Sequence, residues 1–170
     1  MQVHAESTAL LRKCLRAIYD VCEQCDAEGI EVQLAGVKLT VRRLFEIEVT
    51  AYLFYLAAAD RVISQEEVDF INGLMGRGYS LETCSKFVAE HSQQMTGEQF
   101  AKTTPLSFKI LTRFTAGKGA DISDVLISFY EALGHVLAAS DSNLATSEQE
   151  ARTNYVYLLR GYKMLSDTGE

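Results

Sequence analysis

Histidine occurs only three times in this sequence and never as H-E-x-x-H, the arrangement that sets two imidazoles and a general base on one helix face. No G-x-S-x-G is present, and no cysteine has an evident histidine partner, so an activated nucleophile of a familiar kind is missing. His135 follows Glu131 by four residues, which is the spacing of a structural helix pair. A di-iron bundle would need E-x-x-H twice. Basic residues are also in deficit: 16 Lys and Arg stand against 23 Asp and Glu, for a formal charge of −7. That balance argues against nucleic acid, whose phosphates are bound mainly by clustered cations. The two local basic groups, Arg12-Lys13-Arg16 and Lys38-Arg42-Arg43, read as solvated faces. The longest apolar stretch, Val49 to Ala59, falls far short of the roughly 20 residues that a membrane helix needs.

Cysteine is sparse as well. Cys22 and Cys25 form a C-x-x-C, but a second pair is lacking, because Cys14 and Cys84 stand alone, so half of any zinc site is missing. The two instead extend the helical stripe of Leu11, Leu15 and Ile18 and are expected to pack as small buried hydrophobes, reduced rather than disulfide-bonded. Glycines flank Lys118 in Ala116 to Ala120, yet neither the spacing nor the preceding strand of a P-loop is there, which leaves a plain linker.

Hydrophobic residues make up 48% of the chain and charged residues 23%, which excludes the disordered class. A single domain over residues 1–170 is expected, long enough to bury a sizeable core. The opening residues, interrupted by His4, Glu6, Arg12 and Lys13, do not read as a signal peptide, so a cytoplasmic location is expected.

The pattern along the chain is helical almost throughout. A first helix should run from about Ala5 to Ala27 and stop at Gly29. Ile30, Val32 and Leu34 then alternate with polar residues, and Val37, Leu39 and Val41 do so again after Ala35-Gly36. A two-stranded hairpin fits this alternation, but alone it would be marginal in water, so the segment is expected to be irregular. From Thr40 to Ala59 the chain is apolar around most of a helix circumference, the mark of a central helix. Ser64 and Glu67 form an S-x-x-E capping box for the next helix, which ends at Gly76 and Gly78. Ser80 is a cap for a fourth helix, Thr96 with Gln99 offers a second capping box, and Pro105 is placed at the first position of a fifth helix. A sixth helix, Ser123 to Ser140, carries Leu126, Phe129, Leu133 and Leu137 on one face and is expected to pair with the second. A last helix is expected from Ser147, boxed with Glu150. The fold class is therefore all-α, a bundle of about seven helices.

One device occurs twice. Leu56-Ala57-Ala58-Ala59-Asp60 matches Leu137-Ala138-Ala139-Ser140-Asp141 at four of five positions, each at the end of an apolar helix. Ile63 answers Leu144, and Ser64 to Glu67 answers Ser147 to Glu150 if the second loop is two residues longer. This describes a pseudo-repeat of helix, Asp loop and helix.

The string "YLAAADRVISQEEVDFIN" resembles the TerB-like family of tellurite-resistance clusters and wider bacterial stress systems, whose signature is an apolar helix, A-A-D-G, I-S and then E. The resemblance covers Glu46 to Met75 and extends more weakly over Val125 to Leu159. It implies an all-helical bundle with no catalytic activity, and acidic residues near the helix breaks that would bind a metal. Carried over by position, these are Asp60, Glu66 and Glu67 in the first copy and Asp141, Glu148 and Glu150 in the second. Carboxylates suit hard divalent cations. Arg61 and Ser142 stand where the family has glycine, which best tolerates a positive φ. An EF-hand reading of Asp141-Ser142-Asn143 fails, because Thr146 and Arg152 occupy the glycine and glutamate positions. The expectation for function is a non-catalytic protein-interaction or scaffold module of a bacterial stress-response system, with a divalent-metal-binding sensor as the alternative and an uncharacterised enzyme ranked third.

Overall fold

The computed structural model describes residues 2–59, 61–95, 103–140 and 146–167. Its first element, α1 (Gln2–Ala27), begins a little before the expected start and ends where Gly29 turns to a φ of 77°. Leu11, Leu15, Ile18, Cys22 and Cys25 recur at helical spacing along α1, and all five are buried. The C-x-x-C is thus core: burial pushes the thiol of Cys22 up to about 12 and that of Cys25 to about 11, far from reactive thiolates.

The segment expected to be irregular is a hairpin, β1 (Val32–Leu34) and β2 (Val37–Leu39), antiparallel with Leu34 opposite Val37. Ala35 and Gly36 both take positive φ, 49° and 80°, as a two-residue primed turn demands. Tertiary support overrides its intrinsic weakness. Val32 is buried in the core, and the Asp26 carboxylate accepts from Val41 N at 2.6 Å, fixing the exit of β2 to the end of α1.

α2 (Val41–Ala57) starts at Thr40, whose hydroxyl accepts from Arg43 N. Its all-round apolarity makes it central: α1 and four of the helices that follow pack on it. Fully burying a side chain such as Phe45 or Leu53 contributes about 1.5–3 kcal/mol. α3 (Gln65–Met75) carries the expected capping box. Ser64 Oγ accepts from Glu67 N at 3.2 Å, and the Glu67 carboxylate accepts from Ser64 N at 2.8 Å. Gly76 closes the helix in the left-handed region. α4 (Leu81–Met95) follows, with Ser80 Oγ accepting from Thr83 N. The capping box expected at Thr96 and Gln99 lies outside the described residues.

α5 (Leu106–Ala116) corrects one expectation. Pro105 is not its first residue but precedes it, with an extended ψ of 139°. Proline has no side-chain acceptor, so the cap comes from another helix: Glu48 of α2 accepts from Leu106 N at 2.7 Å, from Ser107 N at 2.9 Å and from the Ser107 hydroxyl. α6 (Ser123–Ser140) has the expected bounds but packs most extensively on α1 and α7, with α2 a lesser neighbour.

α7 (Thr146–Asp167) corrects another. Its start at Thr146 puts Ser147 inside the helix, so the box with Glu150 does not form. The two copies instead align without a gap at a constant offset of 81 residues: Gln65 and Thr146 open the second helices, and Glu67 and Glu148 are each their third residue. In that register Ser64 is answered by Ala145, which has no hydroxyl and lies outside the described residues.

Candidate functional site

The acidic residues singled out at the helix breaks divide into three groups. Asp60 and Asp141 lie outside the described residues. Glu67 and Glu148 are buried, at 1% and 5% exposure, each in the first turn of its helix. Glu66 and Glu150 are not buried. Glu66 sits with Asp69, Arg12 and Thr8 on a depression between α1, α3 and α6. The two copies of the device thus share one buried first-turn carboxylate each, and the gapless register makes Glu148, rather than Glu150, the counterpart of Glu67. Among the described residues no three His, Cys, Asp or Glu side chains gather as a metal cage would require. The sequence position taken by glycine in TerB-like proteins is also visible: Arg61 has a φ of 69°.

Glu131 and His135 do not pair with each other. Arg152 of α7 reaches His135 Nδ1 at 2.9 Å, and Arg160 of α7 reaches Glu131 at 3.4 Å, so both groups tie α6 to α7. The arginines, two turns apart on α7, compete successfully because α6 and α7 approach closely at Gly134, where an added Cβ would meet Arg152 Cδ at 2.6 Å.

Between α2, α6 and α7 lies a buried tyrosine triad. Tyr52 packs tilted against Tyr155 and edge to face against Tyr130, at centroid distances of 4.4 and 5.0 Å, and its hydroxyl donates to Tyr130 O at 3.1 Å. Burial drives all three phenols well above their ordinary value, which suits structural hydrogen bonding and not proton transfer near neutrality.

Among the described residues, two further surface hollows have largely apolar linings. The first is an apolar groove of about 600 Å³ between α1 and α6, with Leu11, Phe129, Ala132 and Val136 in its lining and the exposed Leu10 and Val125 on its flanks. Leu10 is 64% and Val125 49% exposed, although both sit beside buried leucines. They occupy helix positions off the buried stripe, which is the signal in the sequence that could have revealed the groove. The second is a cleft of about 380 Å³ between α2 and α4, bounded by Arg77 and Tyr79 of the loop after α3. Of the two basic groups flagged in the sequence, the second is engaged with acids, Lys38 with Glu31, Arg42 with Glu23 and Arg43 with Glu46, while Arg12 of the first donates to Gly73 O at 2.9 Å. Among the described residues no helix is long and apolar enough to cross a membrane.

Comparisons with family models, with curated proteins and with solved structures gave no match for this chain.

Proposed function

We propose that the chain is a non-catalytic, TerB-like helical module that binds a protein partner through the groove between α1 and α6. The observation that carries this reading is the pair Leu10 and Val125, large apolar side chains left exposed on either side of an apolar floor. Isolated exposed apolar residues are ordinary, but a contiguous groove lined by them is a docking feature. Two walls of helix suit an amphipathic partner helix that lays its apolar anchors between them. The bacterial stress-response setting comes from the resemblance of the first helix break to TerB-like proteins and from nothing else.

The test is affinity capture from the native cell with the wild type beside Leu10→Asp and Val125→Asp, each confirmed to be folded by circular dichroism. The reading expects a defined partner that the wild type retains and both variants lose. Capture of the same proteins by all three chains would count against the groove.

A second reading, a divalent-cation sensor, draws on the buried carboxylates Glu67 and Glu148 beside the two helix breaks. Arg61 places a positive charge next to Asp60 in the first copy, which favours the second, with Asp141 and Glu148 as the residues to test. Calorimetry with calcium, magnesium, manganese and zinc decides it. A binding heat that disappears in Asp141→Ala and Glu148→Gln would support the sensor, and no heat in the wild type would remove it.

A further inference from the structure

We propose that the cleft between α2 and α4 is a binding site for a small apolar carboxylate, separate from the α1/α6 groove and independent of the reading built on it. Its lining divides by chemistry. Phe54 of α2 and Cys84 of α4 are buried at the base, Phe87 of α4 is 39% exposed, and Phe54 and Phe87 lie 5.4 Å apart between ring centroids. The Thr50 hydroxyl is spent on Glu46 O at 2.7 Å. A hydrocarbon or aromatic body is therefore what the base accepts. At about 380 Å³ the cleft falls within the roughly 300–1,000 Å³ of small-molecule pockets, which are mainly apolar with a few placed polar groups.

The rim supplies those polar groups, and they are cationic. Glu46 is shared by three guanidiniums, from Arg43 at 3.1 Å, Arg77 at 3.4 Å and Arg42 at 3.5 Å, with Glu23 as the one further carboxylate on Arg42. Of the charged residues lining the cleft two are cationic, Arg43 and Arg77, and one is anionic, Glu46, so positive charge exceeds negative there, in a chain whose net charge is −7. The Arg43 and Arg77 side chains stay 48% and 32% exposed at the rim, so a carboxylate there would accept from their guanidinium N–H groups and answer the excess charge. A cationic ligand would meet repulsion at the rim, and a bare inorganic anion would leave the apolar base unused.

The test titrates the full chain with decanoate and, as an uncharged control of equal length, with decanol, following backbone amide resonances. Saturable decanoate binding should shift the resonances of Ala51, Phe54, Thr83 and Phe87, at an affinity about tenfold or more above that of decanol, the worth of one charge-assisted hydrogen bond. Arg77→Met should bring decanoate down to the decanol level. Should that variant fail to fold, the contrast between the two ligands on the wild type decides alone. Equal affinities for decanoate and decanol, no saturable binding, an affinity unchanged in Arg77→Met, or shifts confined to the α1/α6 groove would each overturn the proposal.

Discussion

Replacing Arg61 with glycine should stabilise the protein. Arg61 has a φ of 69°, its N–H closes a turn onto Ala58 O at 2.9 Å, and its side chain is exposed. A residue with a Cβ pays roughly 1–2 kcal/mol for the left-handed conformation, whereas glycine enters it freely but loses roughly 0.5–1 kcal/mol more chain entropy on folding. The difference leaves a net gain of about 0.5–1 kcal/mol, or about 1–4 °C in Tm for a chain of this size. Thermal and urea unfolding would measure it. Two controls isolate the cause. Arg61→Ala keeps the Cβ and should be close to neutral, which separates backbone strain from loss of charge. Gly76→Ala, at a φ of 63° with nothing within 4 Å of the added Cβ, should cost about 1 kcal/mol by the same reasoning in reverse. If Arg61→Gly were neutral or destabilising, or if Arg61→Ala gained as much, the strain assigned to this turn would be refuted.

Three further outcomes are expected. Glu48→Ala should cost about 2 kcal/mol in denaturant unfolding, because it strips the acceptor from the first donors of α5. Burial raises the carboxyl of Glu48 above its ordinary value, so the folded chain holds that proton more tightly than the unfolded chain. Its contribution is therefore complete below the ordinary carboxyl value and is lost as pH rises through the raised one, a slope that Glu48→Gln should remove from the stability–pH curve. Gly134→Ala should destabilise by about 1–3 kcal/mol despite alanine's better helix propensity, since its Cβ would collide with Arg152 and approach the Tyr52 hydroxyl at 3.1 Å. In native protein Cys14, which is half-buried, should react with a thiol reagent well before Cys22 and Cys25, and those two should react only at the rate of unfolding.

The helical architecture was legible because its signals are local. Leu11 to Cys25 keep one stripe, Ser64 and Glu67 carry both halves of a capping box, and Gly76 supplies the left-handed stop. The features read differently depend on partners far along the chain. The Ile30 to Val41 segment becomes a hairpin because Asp26 and the core hold it, and no local pattern shows that support. The cap of α5 comes from Glu48, 58 residues away from Leu106, so Pro105 alone could not place the helix start. The pseudo-repeat was visible, but matching Ser64 to Ser147 hid its true register; the hydroxyl was a weaker guide than the burial of Glu67 and Glu148. Glu131 and His135 have the right spacing to pair, yet the arginines of α7 reach them first. The groove was missed because Leu10 and Val125 lie off the stripes that were read, and no local pattern shows whether a neighbouring helix covers an apolar residue there.

The central claim, that the α1/α6 groove receives a partner protein, is tested most directly by site-specific photo-cross-linking in the native cell. A photoreactive amino acid would replace Leu10 or Val125 in the groove and, as a control, Tyr157 on α7, which at 66% is as exposed as Leu10 and lies away from the groove lining. The account predicts the same partner adduct from both groove positions and none from residue 157. Adducts absent from the groove, or formed as readily from residue 157, would contradict it.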